Sequence, residues 1–147
     1  MTSAEANAIA ALHIGDSAAT LVIASNTLAV GGPSSNAGTI EVANGATLLL
    51  SGPMNNTGTI ALASSGAATR LAISGHVALT GTGTVALGDS PDNAITSDGA
   101  TAQLWNETTI TGSGTIGDAN LSLMNLGRIE ATGSAAALTI AASGTFT

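Results

Sequence analysis

Asn36-Ala-Gly-Thr-Ile-Glu-Val-Ala43 and Asn56-Thr-Gly-Thr-Ile-Ala-Leu-Ala63 are two versions of one phrase, and the second begins 20 positions after the first. Each copy passes through a small-residue turn and closes on a Ser-Gly pair, as Leu48-Leu-Leu-Ser-Gly52 and as Leu71-Ala-Ile-Ser-Gly75. Self-similarity with a period of roughly twenty residues marks a solenoid or array, in which a unit buries its apolar face only against its neighbours. The phrase returns as Gly83-Thr-Val85 and Gly114-Thr-Ile116, with a looser echo at Gly144-Thr-Phe146.

Between these markers the chain alternates. Leu12-His-Ile14, Leu21-Val-Ile23, Leu28-Ala-Val30, Ile40-Glu-Val42, Leu71-Ala-Ile73, Val77-Ala-Leu79 and Val85-Ala-Leu87 all place apolar residues two apart. Such alternation over a few residues, bounded by Gly, Ser, Asn or Pro, is a short strand with one buried face. An antiparallel sandwich or barrel and a parallel solenoid both accommodate short strands of this kind. Equivalent phrases recur one full coil apart, at Ile40, Ile60 and Val85, with two or three short strands inside each interval, and that favours stacked coils. The expected fold is all-β: a right-handed parallel β-helix (β-solenoid) of about six or seven coils, each of roughly twenty to twenty-five residues. At ~4.8 Å per coil the stack is about 30 Å long.

Residues 13–147 read as a single solenoid domain. Before them lies an Ala-rich N-terminal segment or cap, residues 1–12, in which Ser3 is placed to cap a short helical turn. The step from Val85 to Ile116 is too long for one plain coil. Either the segment from Gly88 to Asn93 bulges from the stack as a loop, or Ile110 takes the corner and Ile116 begins another face.

The punctuation has physical reasons. Gly38, Gly58, Gly83, Gly114 and Gly127 precede strands, where a corner needs positive φ or a close backbone approach. Asn36, Asn55, Asn56, Asn106 and Asn125 lie near turns, and an asparagine amide can bond a neighbouring coil. Thr39, Thr59, Thr84 and Thr115 each precede a buried Ile or Val, so they are expected to point outward in a vertical ladder.

Composition limits the partners. Arg70 and Arg128 are the only basic residues against nine acidic ones, giving a net charge of −7. Nucleic acid and anionic membrane surfaces, which are bound through basic stripes, are therefore not expected partners. No run of eighteen apolar residues is present, so membrane insertion is not expected, and Met1-Thr-Ser-Ala-Glu5 lacks the pattern of a signal peptide. With no cysteine there is no disulfide framework. A surface of Thr, Ser, Asn and Gly is typical of repetitive β proteins outside the cell.

Across Asn36 to Gly75, and again across Thr109 to Ala131, the sequence resembles the repeats of large bacterial surface proteins, the autotransporter-type and related repetitive adhesins with parallel β-helix passengers. The resemblance covers about Ala19 to Ala141 and implies an extracellular or cell-surface location. It also implies a structural and adhesive role without catalysis in the repeats. A host surface or a polysaccharide is the partner so implied.

Candidate chemistry is sparse. Asp16, Asp89, Asp92, Asp98 and Asp118 supply loop oxygens, and Asp89 with Asp92 is the candidate Ca²⁺ pair, although the nonapeptide pattern of calcium-binding β-rolls is absent. The same two carboxylates, with Asp98, support the alternative of a carbohydrate-active β-helix enzyme, but no aromatic sugar platform stands beside them. His13 and His76 lack a Cys partner for a metal, and no Gly-x-Ser-x-Gly elbow is present. Neither an enzyme nor a cofactor is expected. The Thr ladder raises ice binding as a further alternative, and the strand-like Ala137 to Thr147 raises self-association through a solenoid end.

Overall fold

The computed structural model describes residues 7–143; Ser3 and the echo at Gly144 to Phe146 lie outside the described residues. The described chain is a parallel β-solenoid of six coils and the first strand of a seventh. The first coil is β1 (Asn7–Ile9), β2 (His13–Ile14) and β3 (Thr20–Ile23); the second is β4 (Thr27–Val30), β5 (Ser34–Asn36) and β6 (Thr39–Ala43). The third is β7 (Thr47–Leu50), β8 (Met54–Asn56) and β9 (Thr59–Ala63), and the fourth is β10 (Thr69–Ile73), β11 (His76–Thr80) and β12 (Thr84–Leu87). β13 (Asn93–Ser97), β14 (Ala102–Asn106) and β15 (Thr109–Gly112) form the fifth. β16 (Gly114–Ile116), β17 (Leu121–Asn125) and β18 (Arg128–Ala131) form the sixth, and β19 (Leu138–Ile140) begins the next. The described residues contain no helix, and Asn7–Ile9 already pair with Leu28–Val30.

Corresponding strands stack into three parallel sheets. Sheet A runs β1-β4-β7-β10-β13-β16-β19, sheet B holds β2, β5, β8, β11, β14 and β17, and sheet C holds β3, β6, β9, β12, β15 and β18. Like lies on like. In sheet C the register carries Leu21, Ile40, Ile60, Val85, Ile110 and Ile129 up one inward column. In sheet A it carries Leu28, Leu48, Leu71, Ile95, Ile116 and Ile140. Except for the exposed Ile140, these columns meet along the axis with Met54, Val77, Leu79 and Leu104 from sheet B in one apolar cluster. A narrow aliphatic core is what the three sheets enclose.

Both readings of the long step after Val85 contain part of the answer. Residues 88–92 form a loop between sheets C and A, Ile110 continues the Val85 column, and Ile116 pairs with Ile95 on sheet A. Thr115 therefore does not belong to the sheet C ladder. Its in-register neighbours are Ala94 and Thr139. The sheet C ladder is Thr20, Thr39, Thr59, Thr84 and Thr109, with Arg128 at the next level.

The corner between sheets B and C is tight. A Cβ placed on Gly58 would lie 2.0 Å from the Gly38 carbonyl oxygen, and one on Gly38 would lie 2.3 Å from that of Ala19. Glycine is needed here because one coil's backbone rests on the next. Beside it, buried asparagines tie the coils together. Asn36 Nδ2 donates to Asn56 Oδ1 at 2.8 Å, and Asn106 Nδ2 donates to Asn125 Oδ1 at 2.7 Å. Among the described residues no buried side-chain nitrogen or oxygen lacks a hydrogen-bond partner.

Candidate functional site

Variation is concentrated where sheet C turns into sheet A. Three residues, 44–46, make that turn after β6, and a single one, Ser113, makes it after β15. Five residues make it at 64–68 and at 88–92, and six at 132–137. The longer turns stack on each other, and Asp89 projects from the middle one into the last.

Five donor groups converge on the Asp89 carboxylate. The backbone N–H groups of Ser134, Ala135 and Ala136 donate at 2.9 to 3.1 Å, and the Ser134 and Ser113 hydroxyls each donate at 3.0 Å. Gly133 makes room for this arrangement, because a Cβ there would collide with Ser113 Oγ and Asp89 Oδ1. Successive backbone N–H groups pointing into one concavity form an anion nest, here occupied by the chain's own carboxylate. The Ala135 and Ser134 N–H bonds hold the Asp89 carboxyl well below the usual aspartate range. This carboxylate is committed to joining a loop of the fourth coil to the last turn across 45 to 47 residues of sequence.

The other acids also serve turns. Asp118 Oδ2 accepts from the Ser97 N–H and hydroxyl, both at 2.9 Å, while its Oδ1 accepts from the N–H groups of Asn120 and Leu121. Burial raises the Asp118 pKa, but these donors outweigh it and the net shift is downward. Asp98 is lowered first by the Ser74 hydroxyl and then by the Ala100 N–H, which donates to Oδ1 at 3.0 Å. Asp16 accepts from the Ala18 N–H at 2.8 Å. Asp92 sits on the same loop as Asp89, with its N–H on the Ser90 hydroxyl at 3.2 Å and its carbonyl taking the Thr69 N–H. Among the described residues no three His, Cys, Asp or Glu side chains gather in a way that could hold a metal ion.

The histidines and the tryptophan decorate sheet B. His13 Nδ1 lies 3.0 Å from the Ser35 hydroxyl, and the His76 ring stands 6.5 Å from that of Trp105. Neither imidazole meets a carboxylate in a described contact.

Sheet A carries an open groove on its outer side, about 480 Å³ in volume. Thr27, Thr47 and Arg70 rise in one register column and Leu49, Ala72 and Thr96 in the next, with Asp98 and Asp118 at the edge where sheet A turns towards sheet B. The sequence offered no sign of this assembly, because Thr27 and Asp118 are brought together only by stacking. The Asp89 nest was equally hidden, since Ser113, Gly133 and Ser134 carry no motif. No protein-family profile matches the chain, and no curated protein or solved structure matches it.

Proposed function

We propose that the chain is a structural and adhesive β-solenoid segment of a bacterial surface or secreted repeat protein, a stiff spacer whose outer faces meet a host surface or a polysaccharide. The supporting observation is that Asp89, Asp98 and Asp118 use their oxygens chiefly on backbone N–H and Ser hydroxyl groups at corners, while sheet C presents an outward column of Thr. Repetition builds length and faces, and the conspicuous acids hold the corners. The proposed location is outside the cell.

End-to-end addition belongs to the same reading. Among the described residues β1, β2 and β3 have a strand partner on one side only, as do β18 and β19, whereas the far side of β17 is bridged by Ser143. Exposed Ile9 and Val22 mark one end, and exposed Leu126 and Ile140 the other. Unpaired edges with apolar side chains favour addition of another chain. Sedimentation velocity across a wide concentration range tests this part, and a monomer at every concentration removes it.

The adhesive part is tested by displaying the chain on an inert carrier and scoring attachment to cell monolayers and to polysaccharide-coated surfaces. Attachment above that of the bare carrier is expected; none on any surface sinks the reading. Two alternatives have direct tests. The five-threonine column of sheet C favours ice binding, for which thermal hysteresis is the readout, although Glu41 stands one column away on β6. A carbohydrate-active enzyme would need Asp89, Asp92 or Asp98, and polysaccharide cleavage abolished by Asp→Asn changes there would establish it.

A further inference from the structure

The sheet A groove is shallow and open, and its lining has a definite chemistry. Its length spans five successive levels of the stack, from Thr27 on β4 to Asp118 after β16, which is about 19 Å at the spacing of parallel strands. Its floor is apolar: Ala72 occupies an outward position yet is only 7% exposed, and Leu49 lies beside it in register. Around that strip stand a donor-only group, Arg70, and hydroxyls that both donate and accept, Thr47 and Thr96. On the far edge stands the acceptor Asp98.

These groups differ in availability. The ion pair described in the chain joins Arg128 to Glu130, so Arg70 keeps its guanidinium fork outside it. Three donors reach Asp98, the Ser74 hydroxyl, the Ala100 N–H and its own N–H, which leaves about a quarter of a carboxylate's acceptor capacity open. Asp118 is filled by its four donors and contributes charge without contacts. One cation against two carboxylates leaves the groove net negative, on a chain already at −7. A polyanion is repelled by that field.

We infer that the groove binds a neutral polysaccharide, an extended chain whose hydroxyls take the Arg70 fork, the Thr hydroxyls and the Asp98 carboxylate while its ring faces cover Leu49 and Ala72. The inference rests on the adhesive reading and names its ligand class and its site. An extended peptide is the poorer fit, because the groove lies on a sheet face, where the backbone groups already bond within the sheet and offer no edge to a new strand.

The test titrates the intact chain, by calorimetry, with dextran, xylan and mannan as neutral probes and with heparin and hyaluronan as acidic ones. Saturable binding of at least one neutral probe and none of the acidic ones is expected, with a loss of about tenfold or more in Arg70→Ala from removal of the guanidinium hydrogen bonds. Thr96→Val, which keeps the strand shape, should weaken the same probe, and circular dichroism should show both variants folded. No neutral probe bound at millimolar sites, affinity unchanged in both variants, or tighter binding of heparin overturns the inference. Attachment of the carrier-displayed chain separates the two levels. If Arg70→Ala and Thr96→Val attach as well as the parent, the groove assignment fails and the adhesive reading stands. If the parent attaches to nothing, that reading has failed by itself.

Discussion

Replacing Gly58 by alanine puts the whole stacking geometry under test at one atom. The new Cβ would lie 2.0 Å from the Gly38 carbonyl oxygen and 2.7 Å from the carbonyl carbon and oxygen of Ala37, all backbone atoms that cannot swing aside. Relief requires the two coils to part locally by roughly 1 Å. The hydrogen bonds that cross this corner are Thr57 N–H to Asn36 O at 2.8 Å, Gly58 N–H to Asn36 O at 3.0 Å and Thr59 N–H to Gly38 O at 2.9 Å. Stretching two of them by that distance loses about 1 kcal/mol each, and the overpacking itself costs about 1–3 kcal/mol. Reduced freedom of the unfolded chain returns about 0.4–1 kcal/mol. The expected net destabilisation is therefore about 2–4 kcal/mol, read as a drop in the guanidinium midpoint of the far-ultraviolet circular dichroism signal. Gly15→Ala is the control, since nothing lies within 4 Å of a Cβ there and its φ is not positive. It should be neutral or slightly stabilising. If Gly58→Ala stays within about 0.5 kcal/mol of the parent, the size of an ordinary surface substitution, the close coil-to-coil contact is not real.

Other perturbations follow the same logic. Asn56→Ala strips a donor from the Thr84 carbonyl and an acceptor from Asn36, and should cost about 2 kcal/mol. Combining it with Asn36→Ala should cost less than the sum of the two, measured in a double-mutant denaturation cycle. Ile60→Ala, at a fully buried position, should cost about 2–5 kcal/mol, whereas Leu126→Ala, half exposed, should change the midpoint little. Asp89→Ala should speed hydrogen exchange at the Ser134, Ala135 and Ala136 amides and leave those of β7 protected. Because the Asp89, Asp98 and Asp118 carboxyls all sit below the ordinary aspartate value, their stabilisation is present above about pH 4 and is lost as pH falls below it through their folded values. An acid titration of the parent should thus weaken below that pH, and Asp89→Asn should flatten part of the dependence.

The coil period was legible because a solenoid writes its rule locally. Ile40, Ile60 and Val85 mark one column in the sequence and occupy one column in the structure. The same locality explains the misplacement of Gly114-Thr-Ile116. A tight glycine, an outward Thr and an inward Ile satisfy any of the three corners, and the phrase carries no sign of which. The single-residue turn at Ser113 lets Gly114, at φ +118°, open sheet A where sheet C had seemed to continue. Thr109, one strand earlier than the phrase, was passed over because Thr108 stands where Gly38, Gly58 and Gly83 announce the corner elsewhere. The groove and the Asp89 nest depend on register between distant coils. A carboxylate and its N–H donors 45 residues apart leave no spacing to recognise.

Register is also what one nuclear Overhauser experiment reads without any substitution. In-register neighbours in adjacent coils lie ~4.8 Å apart, close enough for strong cross-peaks. Cross-peaks should link Thr39 to Thr59, Thr59 to Thr84 and Thr84 to Thr109, and should link Thr115 to Ala94 and Thr139. A cross-peak from Thr84 to Thr115, with none from Thr84 to Thr109, would contradict the stacked three-sheet solenoid.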